Sequence, residues 1–329
     1  MKDGLLIDTI KENYDIEVKQ VIKVKNTYKV ICKEGVYALK IINYKFPHFI
    51  FILSSILYLQ KQGFKSIPKI IKSNKGLDFI QIDNKYAYLS EWILGRVSNY
   101  SDEEDLKKVS RKLAELHLYS RGFNVNNEME PRIAWFSWIK VFETRTREIL
   151  DFQNRISQKA YLSKFDKVYL SNLDQEISRA NVSVNKLKES NYYKIMREQV
   201  FKREFCHHDY ANHNIIIDNN GELNVIDFDY CILDTHLHDL SSLLIRTMKG
   251  KRWGEDKVNI IMKEYEKLIS VKDEEKDIIR EFIRFPQAFW QIGIQAYWEQ
   301  QPWKEEIFLN KLTKYLDDIK YREEFLKNF

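Results

Sequence analysis

The sequence reads Cys206-His207-His208-Asp209-Tyr210-Ala211-Asn212-His213-Asn214 and, after a short hairpin, Val225-Ile226-Asp227-Phe228-Asp229. Asp209 and Asn214 stand five residues apart, a spacing that lets one loop hold a substrate hydroxyl and a Mg²⁺ ion side by side. Asp227 reaches the same ion from the end of a strand. The two stretches therefore predict a metal-assisted site with two carboxylates and one amide.

The hairpin between these stretches makes the prediction specific. Ile215-Ile216-Ile217 and Leu223-Asn224-Val225-Ile226 flank Asp218-Asn219-Asn220-Gly221, which carries a strong turn signal. The spacing of Asp209 and Asn214 alone arises often by chance in polar loops. A strand that ends in Ile-Asp-Phe-Asp at this distance from the loop is much rarer. The combination predicts a bilobal, protein-kinase-like α+β fold that carries out phosphoryl transfer.

Three strand-like runs open the chain. They are Val21–Val24, Tyr28–Ile31 and Tyr37–Ile41, with Asn26 and Gly35 as turn residues between them. The runs are rich in β-branched and aromatic residues and follow one another closely. They predict three antiparallel strands.

One helix and two further strands complete the predicted N-terminal lobe. The apolar run from about Pro47 to Gln62 ends at Gly63, which is placed as a helix C-terminal cap. The strands are predicted at Phe79–Ile82 and Tyr86–Leu89. The order of strands, helix and strands indicates a small lobe over residues 1–94, with an antiparallel sheet and one helix.

Residues 95–329 are predicted to form a large, mainly helical lobe. Ser101–Glu104 is a capping box that opens a helix with one apolar stripe, formed by Leu106, Val109, Leu113 and Leu116. Two or three helices are expected between residues 135 and 201, which contain neither Gly nor Pro. Further helices are expected from Asp239 to the end, broken at Pro286 and Pro302.

Composition excludes several classes of protein. The chain has 329 residues, with 53 Lys and Arg against 48 Asp and Glu, and the charges are interspersed, so no nucleic-acid surface is expected. Three cysteines without metal-ligand spacing favour reduced thiols. The start at Met1 does not resemble a signal peptide. Because the most apolar run, Phe49–Leu59, is about half the length of a membrane span, it is predicted to be a buried helix.

Each requirement of phosphoryl transfer has a candidate residue. Asp209 is the candidate that accepts or orients the acceptor hydroxyl, and Asn214 and Asp227 are the candidates for holding Mg²⁺, joined by Asp229. Lys40 follows Tyr-Ala-Leu on the third predicted strand, where it would reach the α- and β-phosphates of ATP.

A second group of residues is predicted to contact the nucleotide base. Glu91, Trp92 and Ile93 lie in the segment that links the two predicted lobes. Backbone groups of this segment are expected to face the adenine ring. ATP, or another nucleoside triphosphate, and Mg²⁺ are therefore the predicted cofactors.

The histidines allow a rival interpretation as a metal-dependent phosphohydrolase that uses His-Asp pairs. Its candidate ligands are His207, His208, His213, His236, His238, Asp209 and Asp239. The spacing of these histidines fits no single helix face, and the strand that ends in Asp-Phe-Asp has no role in such a site. The kinase-like interpretation accounts for more of the sequence.

The whole chain resembles the aminoglycoside phosphotransferase and choline-kinase group and, within it, the CotS-type spore coat proteins of endospore-forming bacteria. The first resemblance lies in Leu113–His117, His207–Asn214 and Ile226–Asp229. The second lies in the segments Gly63–Pro68, Glu91–Arg96, Cys206–Tyr210, Asp227–Tyr230 and Arg284–Pro286. The resemblance implies ATP in a cleft between lobes. It also implies that the protein is made in the cytoplasm and then becomes part of the spore coat. The expected partners are other coat proteins, and neither a nucleic acid nor a membrane is expected as a partner.

Three positions depart from the pattern of that group. Its members usually pair the strand lysine with a helix glutamate, but residues 44–61 contain no acid. No glycine-rich loop covers the phosphates, because Gly35 is the one glycine between Ile16 and Tyr37. His208 replaces the small or basic residue usual beside the catalytic aspartate. These departures leave two hypotheses: an active phosphotransferase acting on a small molecule or coat component, or a weakly active or inactive pseudokinase with a structural role in the coat.

Overall fold

The computed structural model describes residues 3–329. The chain divides into two compact units, and each is discontinuous in sequence. The first contains the described residues up to Ile133 together with Arg203–Leu233, and the second contains Ala134–Lys202 and Asp234–Phe329. This division by packing does not test the predicted lobe boundary between residues 94 and 95, which stays a prediction.

The first unit combines three α-helices with nine strands. Its elements are α1 (Asp3–Asn13), β1 (Val18–Val24), β2 (Thr27–Cys32), β3 (Val36–Ile42), α2 (Phe46–Gln62), β4 (Ile70–Ile71), β5 (Ile80–Ile82), β6 (Lys85–Glu91), β7 (Gly95–Val97), α3 (Glu103–Ser120), β8 (Ile215–Asp218) and β9 (Leu223–Val225). Two 3₁₀ turns, Asn212–Asn214 and Phe228–Tyr230, precede β8 and follow β9. The predicted hairpin is therefore formed by β8 and β9.

The larger sheet of this unit is antiparallel and has the order β1-β2-β3-β6-β4, with β5 also paired to β6. Lys40 on β3 stands opposite Thr27 on β2 and Tyr88 on β6. A smaller sheet has the order β7-β8-β9. The two sheets fix the strand that carries Lys40 and the strand β9, which Asp227 follows.

Helix α2 forms as the sequence predicts. Pro47 lies in its first turn, where a missing N–H costs nothing, and Gly63 closes it with a φ of 92°. Its apolar side chains are buried, including Phe49, Phe51 and Leu59. The prediction of a buried helix is confirmed, and among the described residues every helix is too short or too polar to cross a bilayer.

The second unit is helical. Its elements are α4 (Trp138–Ser157), α5 (Lys164–Glu189), α6 (Tyr192–Lys202), α7 (Leu237–Met248), α8 (Glu255–Glu266), α9 (Asp273–Arg284), α10 (Gln287–Gly293), a π-helical turn (Ile294–Trp298) and α11 (Glu305–Asn328). The core draws on α4, α5, α10 and α11 and is rich in aromatic residues. Tyr169 stacks on Phe289 with ring centres 4.0 Å apart.

The predicted α+β fold is confirmed, with local corrections. Helix α1 and the short strands β4 and β7 were not predicted. The N-cap of α3 is Asp102, whose side chain accepts a hydrogen bond from the Asp105 amide, and not Ser101. Three helices, α4 to α6, form where two or three were expected. Cys32, Cys206 and Cys231 are buried, and none of them forms a disulfide bond among residues 3–329.

Candidate active site

One cavity of about 440 Å³ in the first unit is lined by most of the predicted site residues. They are Lys40, Glu91, Trp92, Ile93, Asp209, Asn214 and Asp227. Asp229 does not line the cavity, but its carboxylate contacts Lys40, which does. Segments from residues 24 to 230 thus meet around one space, as a nucleotide site requires.

Lys40 is buried and is bound by two carboxylates of the segment that follows β9. Its Nζ lies 2.8 Å from Asp227 Oδ1 and 3.2 Å from Asp229 Oδ2. Burial alone would lower the pKa of Lys40, but the charges of Asp229 and Asp227 outweigh it and raise that pKa. Lys40 therefore stays charged without an acid from α2, a pairing that the sequence did not reveal.

Asp227 adopts a backbone conformation that is rare for a residue with a side chain. Its φ and ψ are 68° and 67°, in the left-handed region. Phe228 anchors the turn that follows, because it is 1% exposed and packs on the His207 ring at 4.7 Å. Strain of this kind persists only where the surroundings hold it in place, and it is frequent at functional sites.

His207 connects the loop that carries Asp209 to the segment that carries Asp227. Its Nε2 donates to the Ile226 carbonyl at 3.0 Å, and its Nδ1 accepts from the Asp209 amide at 3.3 Å. The two bonds together require the neutral tautomer with the proton on Nε2. Buried His207 thus packs behind the loop, as a structural residue and not as a metal ligand.

Asn214 is oriented toward Asp209 by its own amide. Its Nδ2 donates to the Asp209 backbone oxygen at 2.9 Å and to Asp209 Oδ2 at 3.0 Å. The Asn214 carbonyl accepts from the Ile226 amide at 2.9 Å, which ties the loop to the end of β9. The side-chain oxygen of Asn214 therefore remains for a cation.

The residues present fit a divalent cation. Asp229 Oδ1 is closed to solvent and has no hydrogen-bond partner among residues 3–329. Burial and the nearby charge of Asp227 raise the pKa of Asp229 to about 6, although Lys40 opposes the rise. A buried, unpaired carboxylate oxygen beside a second carboxylate and an amide oxygen is the hard donor set that Mg²⁺ prefers.

The turn between β1 and β2 replaces the expected glycine-rich loop. Only Lys25 and Asn26 separate the strands, and both line the cavity. Lys25 has a φ of 52°, a conformation that glycine adopts at lower cost. His208, beside Asp209, likewise has a φ of 66°, which glycine would adopt at lower cost.

In the segment predicted to contact the base, Glu91–Ile93, two of the three backbone amides already donate hydrogen bonds within the protein. The amide of Glu91 donates to the Lys69 carbonyl and that of Trp92 to the Val36 carbonyl, both at 3.1 Å. Of the three backbone amides in Glu91–Ile93, that of Ile93 is the one that donates to no backbone carbonyl among the described residues. Their contact with adenine stays a prediction.

Sequence reasoning missed several residues of the cavity wall. Tyr88 lies on β6, opposite Lys40. Burial, together with the negative charges of Asp229 and Asp227, raises the pKa of Tyr88 well above its usual range. Ile56 of α2 and Lys25 also face the cavity. His213, next to Asn214 in the loop, also lines the cavity, but the sequence indicated it only as a candidate metal ligand in the phosphohydrolase interpretation. The others depend on strand pairing over long sequence distances.

A model of one protein family matches residues 7–329 of the chain, nearly its whole length. The family is described as "Spore coat putative kinase YutH". The chain belongs to this family. The spore coat protein S of Bacillus subtilis (strain 168) is 22% identical over 304 residues, which cover 92% of this chain and 86% of that protein.

Solved structures of small-molecule kinases share the fold of this member of the YutH family. An aminoglycoside phosphotransferase from Alicyclobacillus acidocaldarius aligns with a TM-score of 0.84 at 18% identity, over 98% of this chain and 94% of that one. Spectinomycin phosphotransferase, solved with ADP and spectinomycin, aligns with a TM-score of 0.66 at 16% identity, over 99% of this chain and 98% of that one. The choline kinase LicA from Streptococcus pneumoniae aligns with a TM-score of 0.55 at 15% identity, over 98% of both chains. The predicted resemblance to this group is confirmed at the level of fold.

Proposed function

We propose that this protein is a spore coat phosphotransferase that moves the γ-phosphoryl group of ATP to a hydroxyl of a small molecule or coat component. One observation carries the proposal: Lys40 lines the same cavity as Asp209, Asn214 and Asp227, although it is far from these three residues in sequence. These are the groups that phosphoryl transfer requires for charge neutralisation and for orienting the acceptor.

Each residue has a defined part in the transfer. Lys40 binds the α- and β-phosphate oxygens, and Asp209 orients the acceptor hydroxyl and takes its proton. Asn214, Asp227 and Asp229 would hold Mg²⁺, which supplies positive charge to the β- and γ-phosphate oxygens. The acceptor oxygen forms a bond to the γ-phosphorus while the bond from that phosphorus to the bridging oxygen breaks, and ADP leaves.

A second candidate function is that of a pseudokinase with a structural role among other coat proteins. It is favoured by the absence of any acid in α2 and of any glycine in the turn between β1 and β2. In that case the pairing of Lys40 with Asp227 and Asp229 would be permanent, and nucleotide would bind weakly or not at all.

Thermal shift with ATP, in the presence and absence of Mg²⁺, tests the proposed function. We expect ATP with Mg²⁺ to raise the melting temperature of the wild-type protein, and Asp227→Asn to remove the part that depends on Mg²⁺. Asp15→Asn, an exposed carboxylate outside the cavity, is the control and should behave like wild type. No Mg²⁺-dependent stabilisation of the wild type would exclude the phosphotransferase and favour the pseudokinase.

A further inference from the structure

The guanidinium group of Arg132 makes cation–π contacts with two tyrosine rings. Its Cζ lies 5.0 Å from the centre of the Tyr44 ring and 5.5 Å from the centre of the Tyr230 ring. Tyr230 directly follows Asp229 in the chain and lines the cavity. Arg132 therefore adjoins the part of the cavity wall that follows the metal-binding segment.

Arg132 has no acidic partner. Among residues 3–329, no carboxylate lies within 4.0 Å of its guanidinium group, and its side chain forms no hydrogen bond. Its nitrogen atoms are nevertheless not closed off from solvent. Lys40, by contrast, is matched by two carboxylates. Five N–H donors thus remain available beside Tyr230, which lines the cavity.

The two ring contacts leave these donors unused. The Tyr44 and Tyr230 rings lie within cation–π distance of the guanidinium group and take none of its hydrogen bonds, so its N–H groups remain for a ligand. An oriented guanidinium edge matches a carboxylate or phosphate group with two parallel hydrogen bonds. The geometry is suited to an oxyanion and unsuited to a cation.

The exposed Glu130 lies in this neighbourhood but forms no ion pair with Arg132. His48 packs edge-on against Tyr44 at 4.8 Å. Burial and the charge of Arg132 lower the pKa of His48, against the opposing effect of the Glu130 carbonyl and carboxylate. The imidazole is therefore kept neutral and adds no second cation. The first turn of α2, from which His48 projects, contains no acidic residue.

We propose that Arg132, in contact with the Tyr44 and Tyr230 rings, binds an oxyanion of the acceptor, so that the acceptor is a small molecule bearing both a hydroxyl and a carboxylate or phosphate group. This assignment rests on the phosphotransferase function proposed above and specifies its substrate class. Such an acceptor has the opposite charge to choline, after which one of the matched kinases is named.

Binding of three probes in the absence of nucleotide tests the charge of the acceptor. Glycerol 3-phosphate, glycerol and choline all carry hydroxyls but are anionic, neutral and cationic. Calorimetry at constant ionic strength should show binding of glycerol 3-phosphate alone. Arg132→Gln should lower the affinity for glycerol 3-phosphate about tenfold or more. The affinity of Arg132→Lys should lie between those of wild type and Arg132→Gln, because a lysine cannot donate two parallel hydrogen bonds. Arg203→Gln, which changes an arginine bound to the neutral Asn124 side chain, should have no effect.

Two results would overturn the oxyanion site: choline or glycerol binding as tightly as glycerol 3-phosphate, or an unchanged affinity in folded Arg132→Gln. If Arg132→Gln does not fold, the pair Tyr230→Phe and Tyr230→Leu replaces it. The first keeps the ring over Arg132 and should keep the affinity, and the second should weaken it. Absence of stabilisation by ATP with Mg²⁺, measured separately, would instead overturn the phosphotransferase and with it the role of the bound molecule as acceptor.

Discussion

At the level of single residues, the main feature of the site is that Lys40 shares its carboxylates with the proposed metal. Asp227 Oδ1 and Asp229 Oδ2 face Lys40, whereas Asp229 Oδ1 has no partner among the described residues. When nucleotide and metal enter together, the cation can take the carboxylates and the phosphates can take Lys40. Such an exchange of partners keeps every buried charge matched, so a helix acid is not required to hold the lysine.

The raised pKa of Asp229 predicts a pH dependence of stability. The folded protein holds the Asp229 proton up to about pH 6, whereas the unfolded chain releases it near pH 3.8. Between these values unfolding releases a proton, so wild-type stability falls as pH rises. Asp229→Asn lacks this loss, and its unfolding free energy relative to wild type should increase by on the order of 2 kcal/mol over that range.

Urea unfolding without Mg²⁺, at several values from about pH 4 to about pH 7, measures this difference. The relevant quantity is how the difference in unfolding free energy between Asp229→Asn and wild type changes with pH. The lost contact with Lys40 lowers the unfolding free energy of the variant by a similar amount at every pH. Asp15→Asn is the control. Parallel curves for Asp229→Asn and wild type would show that the Asp229 carboxyl titrates in the folded protein as it does in the unfolded chain.

At the level of elements, the turn between β1 and β2 combines a strained backbone with a place in the cavity wall. Lys25→Gly should raise the unfolding free energy by up to about 1 kcal/mol, because glycine adopts a φ near 52° without steric cost. The same change removes a cation from the cavity, so the affinity for ATP with Mg²⁺ should fall about fivefold.

The turn before β6 provides the matched control for Lys25→Gly. Asp83 has the same φ of 52° but does not line the cavity. Asp83→Gly should therefore stabilise the protein by a similar amount and leave ATP affinity unchanged. If both variants lose nucleotide affinity equally, the Lys25 cation has no specific role.

Strand β7 depends on a glycine that has no room for a side chain. A Cβ at Gly95 would lie 2.1 Å from the Ile217 carbonyl oxygen of β8, and backbone cannot rotate away as a side chain does. Gly95→Ala should lower the unfolding free energy by about 3 kcal/mol in denaturant titration. Gly35→Ala, whose nearest neighbour would be 3.7 Å away, should be close to neutral, and a neutral Gly95→Ala would contradict the pairing of β7 with β8.

The elements that the sequence predicted are those with strong local signals. The apolar run and Gly63 define α2, the alternating runs define β1 to β3, and the turn at 218–221 defines the hairpin of β8 and β9. Strand β7 was missed because its three residues form a strand only by pairing with β8, over a hundred positions later. The partners of Lys40 and the ring contacts of Arg132 were missed for the same reason, since both join distant segments.

At the level of the whole molecule, the two compact units should respond separately to ligand and to mutation. Gly293 lies in the core of the second unit, where an added Cβ would come within 2.5 Å of Phe152 and of the Tyr169 hydroxyl. Gly293→Ala should lower the protection of α4, α5 and α10 in hydrogen exchange. ADP with Mg²⁺ should still increase the protection of β3, β6 and the hairpin of β8 and β9. Equal loss of protection throughout both units would show that they open as one.

The discontinuous path of the chain has a consequence for biosynthesis. The sheet that carries Lys40 leaves the ribosome first, but Asp209 and Asp227 follow only after Ala134–Lys202, which belong to the other unit, have been made. During that interval Lys40 emerges without the carboxylates that neutralise it. The first unit can therefore complete its core and the proposed active site only after residue 233 has been translated, and the second can complete its core only once α11 is free.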